Sequence, residues 1–258
     1  MKIRFYGLGL LIALSCSSVS AADLSRATVQ QRLAKADKSH LAQLRRKDLR
    51  GVDLSGLDFK NADLWGADLR NANLSNSDLS GLNLDLTVMS KINLSGANLS
   101  NTSIFGVHMG GANLSNANLT GSRFIANLDR SDLNHANLSN ANWGVDMKNQ
   151  PMGLMRVSLN NVNLSGANLT DANLNRALMR HANLSGAVLK NTVLFGVDLS
   201  GADLTDADLS GADLSESKLE DADFTGTNLS GTRFKGIKDK SVLKGLISSK
   251  NLEAAVFD

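Results

Sequence analysis

The sequence predicts an all-β solenoid. From Leu49 onward a large apolar residue recurs at every fifth position, a small or modest one stands two places before it, and the remaining positions are mostly Asp, Asn, Ser, Thr or Gly. The large residues run Leu54, Phe59, Leu64, Leu69, Leu74 and Leu79, with Leu57, Ala62, Ala67, Ala72 and Ser77 as their smaller partners. A period of five fits neither the 3.6 of a helix nor the 2.0 of a flat strand, so the chain must turn once per unit. Residues two apart in an extended segment share a face. The large and small residues therefore point inward, the Asp or Asn between them points outward, and the other two positions have the composition of a tight turn. Coils built this way satisfy their backbone groups on the coils above and below. An aromatic share of only 4% suits a narrow interior, and the fixed spacing sets aside the disordered linker that 22 glycines could otherwise suggest.

In chain order, residues 1–21 read as a signal peptide. Lys2 and Arg4 precede an apolar run from Gly7 to Leu14, and Val19-Ser20-Ala21 places small residues where a signal peptidase reads, with cleavage after Ala21. The apolar run is too short to span a bilayer. Cleavage removes Lys2 and Arg4 from the 27 basic residues and none of the 25 acidic ones, leaving 25 against 25. A neutral chain has no general attraction to nucleic acid or to an acidic membrane. Cys16, the only cysteine, falls inside the discarded segment, which leaves no disulfide or thiol chemistry. Ala13-Leu14-Ser15-Cys16 also loosely matches a lipobox, and lipidation at Cys16 would give an envelope-anchored lipoprotein instead of a periplasmic or secreted form.

Residues 22–48 are predicted to form an N-terminal helical cap. Thr28-Val29-Gln30-Gln31 offers a capping-box start, and Val29, Leu33, Ala36, His40 and Leu41 fall at helix-like spacings. The repeat then occupies residues 49–236. Its register breaks at about 125–153: after Phe124 the next centre is Leu128, one residue early, residues 144–153 lack clear units, and Leu154, Leu159 and Leu164 restore the original phase. Pro151 lies in this stretch, as expected of a bulge or loop, because proline cannot donate a ladder hydrogen bond. Residues 237–258, with Val242, Leu243, Leu246, Ile247, Leu252 and Val256, are predicted to form a C-terminal helical cap, since an open β end invites aggregation.

Units such as Ala202-Asp203-Leu204-Thr205-Asp206 followed by Ala207-Asp208-Leu209-Ser210-Gly211 closely resemble those of the pentapeptide repeat family. The resemblance covers roughly residues 49–236 and implies a right-handed quadrilateral β-helix with four units per coil. Some members of the family imitate DNA and bind DNA gyrase, so a DNA-mimicking gyrase-binding protein is the alternative function. A mimic needs a strongly negative surface, whereas this mature chain is neutral, its 23–50 stretch is basic, and its signal sequence directs it away from cytoplasmic gyrase.

The residues argue against an enzyme. His40, His108, His135 and His181 are widely spaced and lack companions at metal-ligand spacing. The serines mostly follow central residues at turn positions and form no nucleophile elbow, and the glycines form no phosphate-binding fingerprint. Asp198, Asp203, Asp206, Asp208, Asp213, Glu216, Glu220, Asp221 and Asp223 make an acidic band in the last coils, but mostly at outward or turn positions, which describes a solvated face. No cofactor and no metal is expected.

The expected function is that of a non-catalytic exported scaffold for protein–protein interaction in the periplasm or cell envelope. Its partner would be an unidentified protein or a second copy engaged through an outer face, with no nucleic acid, and with a membrane only if Cys16 is lipidated. With four units per coil, residues 20 apart stack, which aligns Trp65, Asp85, Phe105 and Ile125 on one ladder, with Leu86 one place beyond Asp85. Trp65, Leu86, Phe105 and Ile125 are the candidate interaction surface, because contiguous exposed apolar groups with an aromatic anchor commonly mark interfaces.

Overall fold

A computed structural model describes residues 22–145, 155–237 and 239–257. The predicted signal peptide, with Cys16 and Ala21, lies outside the described residues, as do Pro151 and Leu154. Among the described residues no helix is long and apolar enough to cross a membrane.

The chain is a quadrilateral β-helix whose five-residue unit is closed by one backbone hydrogen bond. The N–H of each small inward residue reaches the carbonyl of the large residue three places earlier, as in Ala67 to Leu64 at 2.9 Å and Ala117 to Leu114 at 3.0 Å. At almost every corner the second of the two intervening residues has positive φ, for example 57° at Asn71 and 68° at Gly111. That combination is a type II turn, and it selects Gly and Asn at this position. Between corners each edge is only three residues long, so most ladders reduce to a single parallel bridge at the outward residue. Asp53 pairs with Asn73, Asn73 with Asn93 and Asn93 with Asn113 in this way, one coil apart at each step. Within each coil contact, the large residue donates to the coil above and the outward residue donates to the coil below. Leu94 N–H to Asn113 O at 2.7 Å and Asn93 N–H to Ala72 O at 3.0 Å are examples.

The recurring Asx residue has a structural reason. Its Oδ1 accepts the N–H of the residue two places ahead, as in Ser75 to Asn73 at 3.2 Å, and so fixes the corner as an Asx turn. Where the residue is Asn, its amide also donates to the Asx one coil below. Asn73 donates to Asp53 at 3.0 Å and Asn93 to Asn73 at 2.9 Å. Buried Ser and Thr in the small inward row donate to carbonyls of the coil below, as Ser77 does to Leu54 at 3.0 Å and Thr227 to Leu204 at 2.8 Å. The interior is a column of central Leu residues layered with Ala. It widens for Trp143, which stacks on Phe124 at 4.7 Å between ring centroids and donates from Nε1 to Ser122 Oγ.

The register break is one short corner followed by one long coil. Strand β3 (Ser103–His108) pairs in parallel with β4 (Arg123–Asn127), and between Phe105 and Val107 the ladder shifts. Gly106 has no partner in β4, so the coil repeat drops to 19 residues, as Asn113 opposite Asp132 shows. The next coil spans 31 residues, as in Asp132 to Asn163, where the regular repeat is 20. The extra residues lie in the sequence between Val145 and Met155, at one corner of that coil.

Both ends differ from the predicted helical caps. Helix α1 (Arg26–Ala34) is capped by Ser25, whose side chain accepts from Thr28 N–H, so the helix starts a turn earlier than Thr28. It buries Val29 and packs Leu33 against the core, but Leu41 is exposed. The solenoid itself begins before residue 49: β1 (Ala42–Gln43) already pairs in parallel with β2 (Ala62–Asp63). The C-terminal segment is not an α-helix. Its bridges fall at Lys244, Lys250 and Val256, six residues apart instead of five, opposite Asp223, Asn228 and Arg233. Positive φ at Gly245 and Asn251 interrupts any helix, and the corners become 3-10 turns at Lys240–Val242, Leu246–Ser248 and Leu252–Ala254. The segment is a last coil of lengthened units, which buries Leu243 and leaves Ile247 95% exposed.

Two outcomes test this account. Leu114→Ala should cost about 2–5 kcal/mol in denaturant melts, as a core truncation in a site with little room to collapse; Ser115→Ala should cost under about 0.5 kcal/mol. Acid should also destabilise the fold. Hydrogen bonds from Arg50 hold Asp48 down to about 2, and Arg70 lowers Asp68 in the same way. Because these folded values lie below an unfolded value of about 3.9, their contribution is complete above pH of about 4 and is lost as pH falls towards 2. The melting temperature should drop through that window, and less steeply in Arg50→Gln.

Candidate interaction surface

The four corners of the β-helix are not chemically alike. On three of them, below the lengthened final coil, every residue between two edges is polar or glycine, as in Arg70-Asn71, Ser75-Asn76 and Ser80-Gly81. The fourth corner holds Arg45-Arg46, Trp65-Gly66, Asp85-Leu86, Phe105-Gly106, Ile125, then Val145 and Met155 at the long coil, and higher up Asn175-Arg176 and Phe195-Gly196. All large apolar corner residues of the regular coils stand on this one line.

The structure brings Trp65, Leu86 and Phe105 together on that line and separates Ile125 from them. Leu86 is 52% exposed and Phe105 40% exposed, whereas Ile125 is buried at 3%. The predicted exposure of Ile125 is therefore corrected: the corner between Phe124 and Ala126 holds one residue instead of two, and Ile125, paired with Phe105 in the β3–β4 ladder, is covered. Ile125 forms part of the lining of a surface cavity of about 380 Å³ together with Gly106, Val107, Met155 and Arg156.

Trp65 is half-buried beneath two cations. The guanidinium carbon of Arg45 lies 4.2 Å and that of Arg46 5.0 Å from its ring centroid, and Arg45 also pairs with Asp63 at 3.6 Å. Two coils above the short corner, Arg176 sits 5.9 Å from the ring centroid of Phe195 in the next coil. Asp85, the carboxylate between the aromatic groups, accepts the Phe105 N–H at 2.9 Å and is thereby held against the wall. Sequence reasoning missed Met155, Phe195 and the arginines. The 20-residue spacing that aligns Trp65 with Phe105 also aligns Arg45 with Trp65 and places Arg176 one residue from the position under Phe195, so that signal was present.

His135 and His181 are corner residues with φ of 54°, and each imidazole lies over a glycine of the next coil, Gly166 and Gly201, where a Cβ would come within 2.5 Å and 2.4 Å of Nδ1. They are part of the corner packing. Among the described residues no three His, Cys, Asp or Glu side chains converge as a metal site would require.

Among the described residues, Leu86 is the one apolar side chain among the non-glycine residues with positive φ, at 59°, and its exposure returns little burial energy. A left-handed conformation costs an L-residue about 1 kcal/mol or more, and Asn tolerates it better. Leu86→Asn should therefore leave the protein as stable or stabilise it by up to about 1 kcal/mol in denaturant melts; a loss of stability would show that Leu86 is held by packing.

The profile of the family described as pentapeptide repeats matches residues 53–90, 83–121, 158–196, 172–211 and 198–236, in eight copies. Among solved structures the chain is similar to HetL, a pentapeptide repeat protein involved in heterocyst differentiation regulation from the cyanobacterium Nostoc sp. strain PCC 7120. The identity is 28%, over 91% of this chain and 94% of that one, with a TM-score of 0.37. It is similar also to a pentapeptide repeat protein of the Arabidopsis thaliana thylakoid lumen, at 33% identity over 39% of this chain and 63% of that one, with a TM-score of 0.32. A third is QnrB1, a plasmid-mediated fluoroquinolone resistance protein, at 22% identity over 72% of this chain and 91% of that one, with a TM-score of 0.43. No match is found among curated proteins. With family repeats matched over more than half of its length, on coils closed every four units, the chain belongs to the pentapeptide repeat family.

Proposed function

We propose that this protein is an exported, non-catalytic scaffold that binds another protein, or a second copy of itself, through the corner carrying Trp65, Leu86 and Phe105. One observation carries the reading: the large apolar corner residues are confined to one of four otherwise polar corners, and one of them, Leu86, occupies a strained backbone position while exposed. The repeat does not need such residues there, since Gly, Asn and Ser serve the other corners. Strain retained without burial is accounted for by a contact made outside the chain.

The residues that would be searched for chemistry have structural work. The Asx side chains hold corners and ladders, the inward hydroxyls satisfy carbonyls, and several carboxylates are paired, as Asp198 is with Arg180 at 2.7 Å and Asp208 with Lys190 at 3.4 Å. That pairing also tells against the DNA-mimicking alternative, which asks for a continuous unpaired anionic face. Export rests on residues 1–21: the signal reading gives a periplasmic or secreted protein, and lipidation at Cys16 would anchor it to the envelope.

Mass spectrometry of the mature chain should find Ala22 at the N-terminus; a diacylglyceryl group on Cys16 would establish the anchored form instead. The double substitution Leu86→Ser, Phe105→Ser should abolish partner capture from an envelope extract, or self-association in sedimentation, with the melting temperature lowered by no more than a few degrees. Unchanged association would remove this corner from the function.

A further inference from the structure

Resting on the reading of that corner as a contact surface, we infer that its occupant is an acidic polypeptide segment, apolar at its centre and carrying carboxylates towards both ends. The order of side chains along the corner is the reason. Arg45 and Arg46 stand at the lower end, Leu86 and Phe105 in the middle, and Arg156 and Arg176 at the upper end. At about 4.8 Å per coil, Arg46 lies about 24 Å from Arg156 and about 29 Å from Arg176, five and six coils away.

The cations are available. Arg46, Arg156 and Arg176 make no ion pair with a carboxylate among the described residues, whereas Asp63 and Asp85, the nearby acids, are engaged with Arg45 and with the Phe105 N–H. A guanidinium held near a ring face, as at Arg46 and Arg176, retains N–H donors for a carboxylate. The 380 Å³ cavity beside Phe105 is lined by Val107, Ile125 and Met155 together with His108 and Arg156, and admits one anchor side chain. A duplex nucleic acid or an anionic polysaccharide would call for cations throughout the groove. A polypeptide fits both parts. Its carboxylates would stand about seven to nine residues apart if extended, at about 3.3 Å each, or about 16 to 19 apart if helical, at about 1.5 Å each.

The test places a photoreactive benzophenone side chain at position 86 of the full-length chain, irradiates intact producing cells and sequences the cross-linked segment. The expected product is a protein segment with an apolar centre flanked by Asp or Glu at one of those separations. Its yield should fall about tenfold in Arg46→Glu, Arg176→Glu and also in Arg156→Glu, at an exposed residue that makes no ion pair among the described residues. Phe105→Ser should lower the yield as well. If Phe105→Ser abolishes the product while all charge reversals leave it unchanged, the contact surface stands and the acidic partner is wrong. If none of the substitutions changes the yield, both readings fall. Cross-linking to lipid, to glycan or to a segment without flanking carboxylates overturns the inference, and so does the absence of any product.

Discussion

Each unit of this β-helix depends on one hydrogen bond, from the N–H of the small inward residue to the carbonyl of the large residue before it. The bond makes the chain turn every five residues and brings the next edge into line with the edge one coil below. Everything else is conditioned by it. The second corner residue must adopt positive φ, which favours Gly and Asn; the inward residue after the corner must be small; and the outward residue must supply an acceptor for the corner's remaining N–H, which is the role of Asp or Asn. The A-[DN]-L-x-x pattern is the local chemistry of that turn repeated along an axis.

A scaffold so over-determined can tolerate departures at single positions, and its departures are where function can reside. Three corners obey the turn chemistry almost without exception. On the fourth, Leu86 takes the left-handed position, Trp65 and Phe105 replace Ser or Thr at the first corner position, and one residue is missing altogether. Ile125 at the one-residue corner is buried. The extra residues of the long coil fall in the sequence between Val145 and Met155, one level higher on the same corner line. These irregularities are neighbours in space although they span about ninety residues of sequence, because stacking brings every twentieth residue to the same line.

Charge follows the same geometry. The chain is neutral after the predicted cleavage, yet its ionic groups are sorted by row. Carboxylates of the outward row meet Arg or Lys at a corner of their own coil or of the coil below, as Asp48 and Asp68 do with Arg50, and this local pairing contributes to the depressed carboxylate pKa values. On the apolar corner Arg45 pairs with Asp63, while Arg46 and Arg176 lie over the rings of Trp65 and Phe195. A cation over a ring keeps N–H donors for a partner.

The sequence by itself determined the solenoid, its five-residue unit, the inward and outward rows and the place where the register breaks, because each of these is a local property of spacing and turn composition. It also aligned Trp65 and Phe105 once four units were taken per coil. It did not determine the two ends. A C-terminal segment repeating every six residues, with Lys244-Gly245-Leu246 echoed by Lys250-Asn251-Leu252, reads as amphipathic at helical spacings, and only pairing with the coil beneath makes it a further coil. Nor could it determine that Ile125 is covered, which depends on how the one-residue corner pairs opposite Phe105 and Gly106. The approach of Arg45 and Arg46 to Trp65, and the run of cations bracketing an apolar centre, likewise exist only when coils stack, since residues 20 or 31 apart in the chain have no local reason to meet.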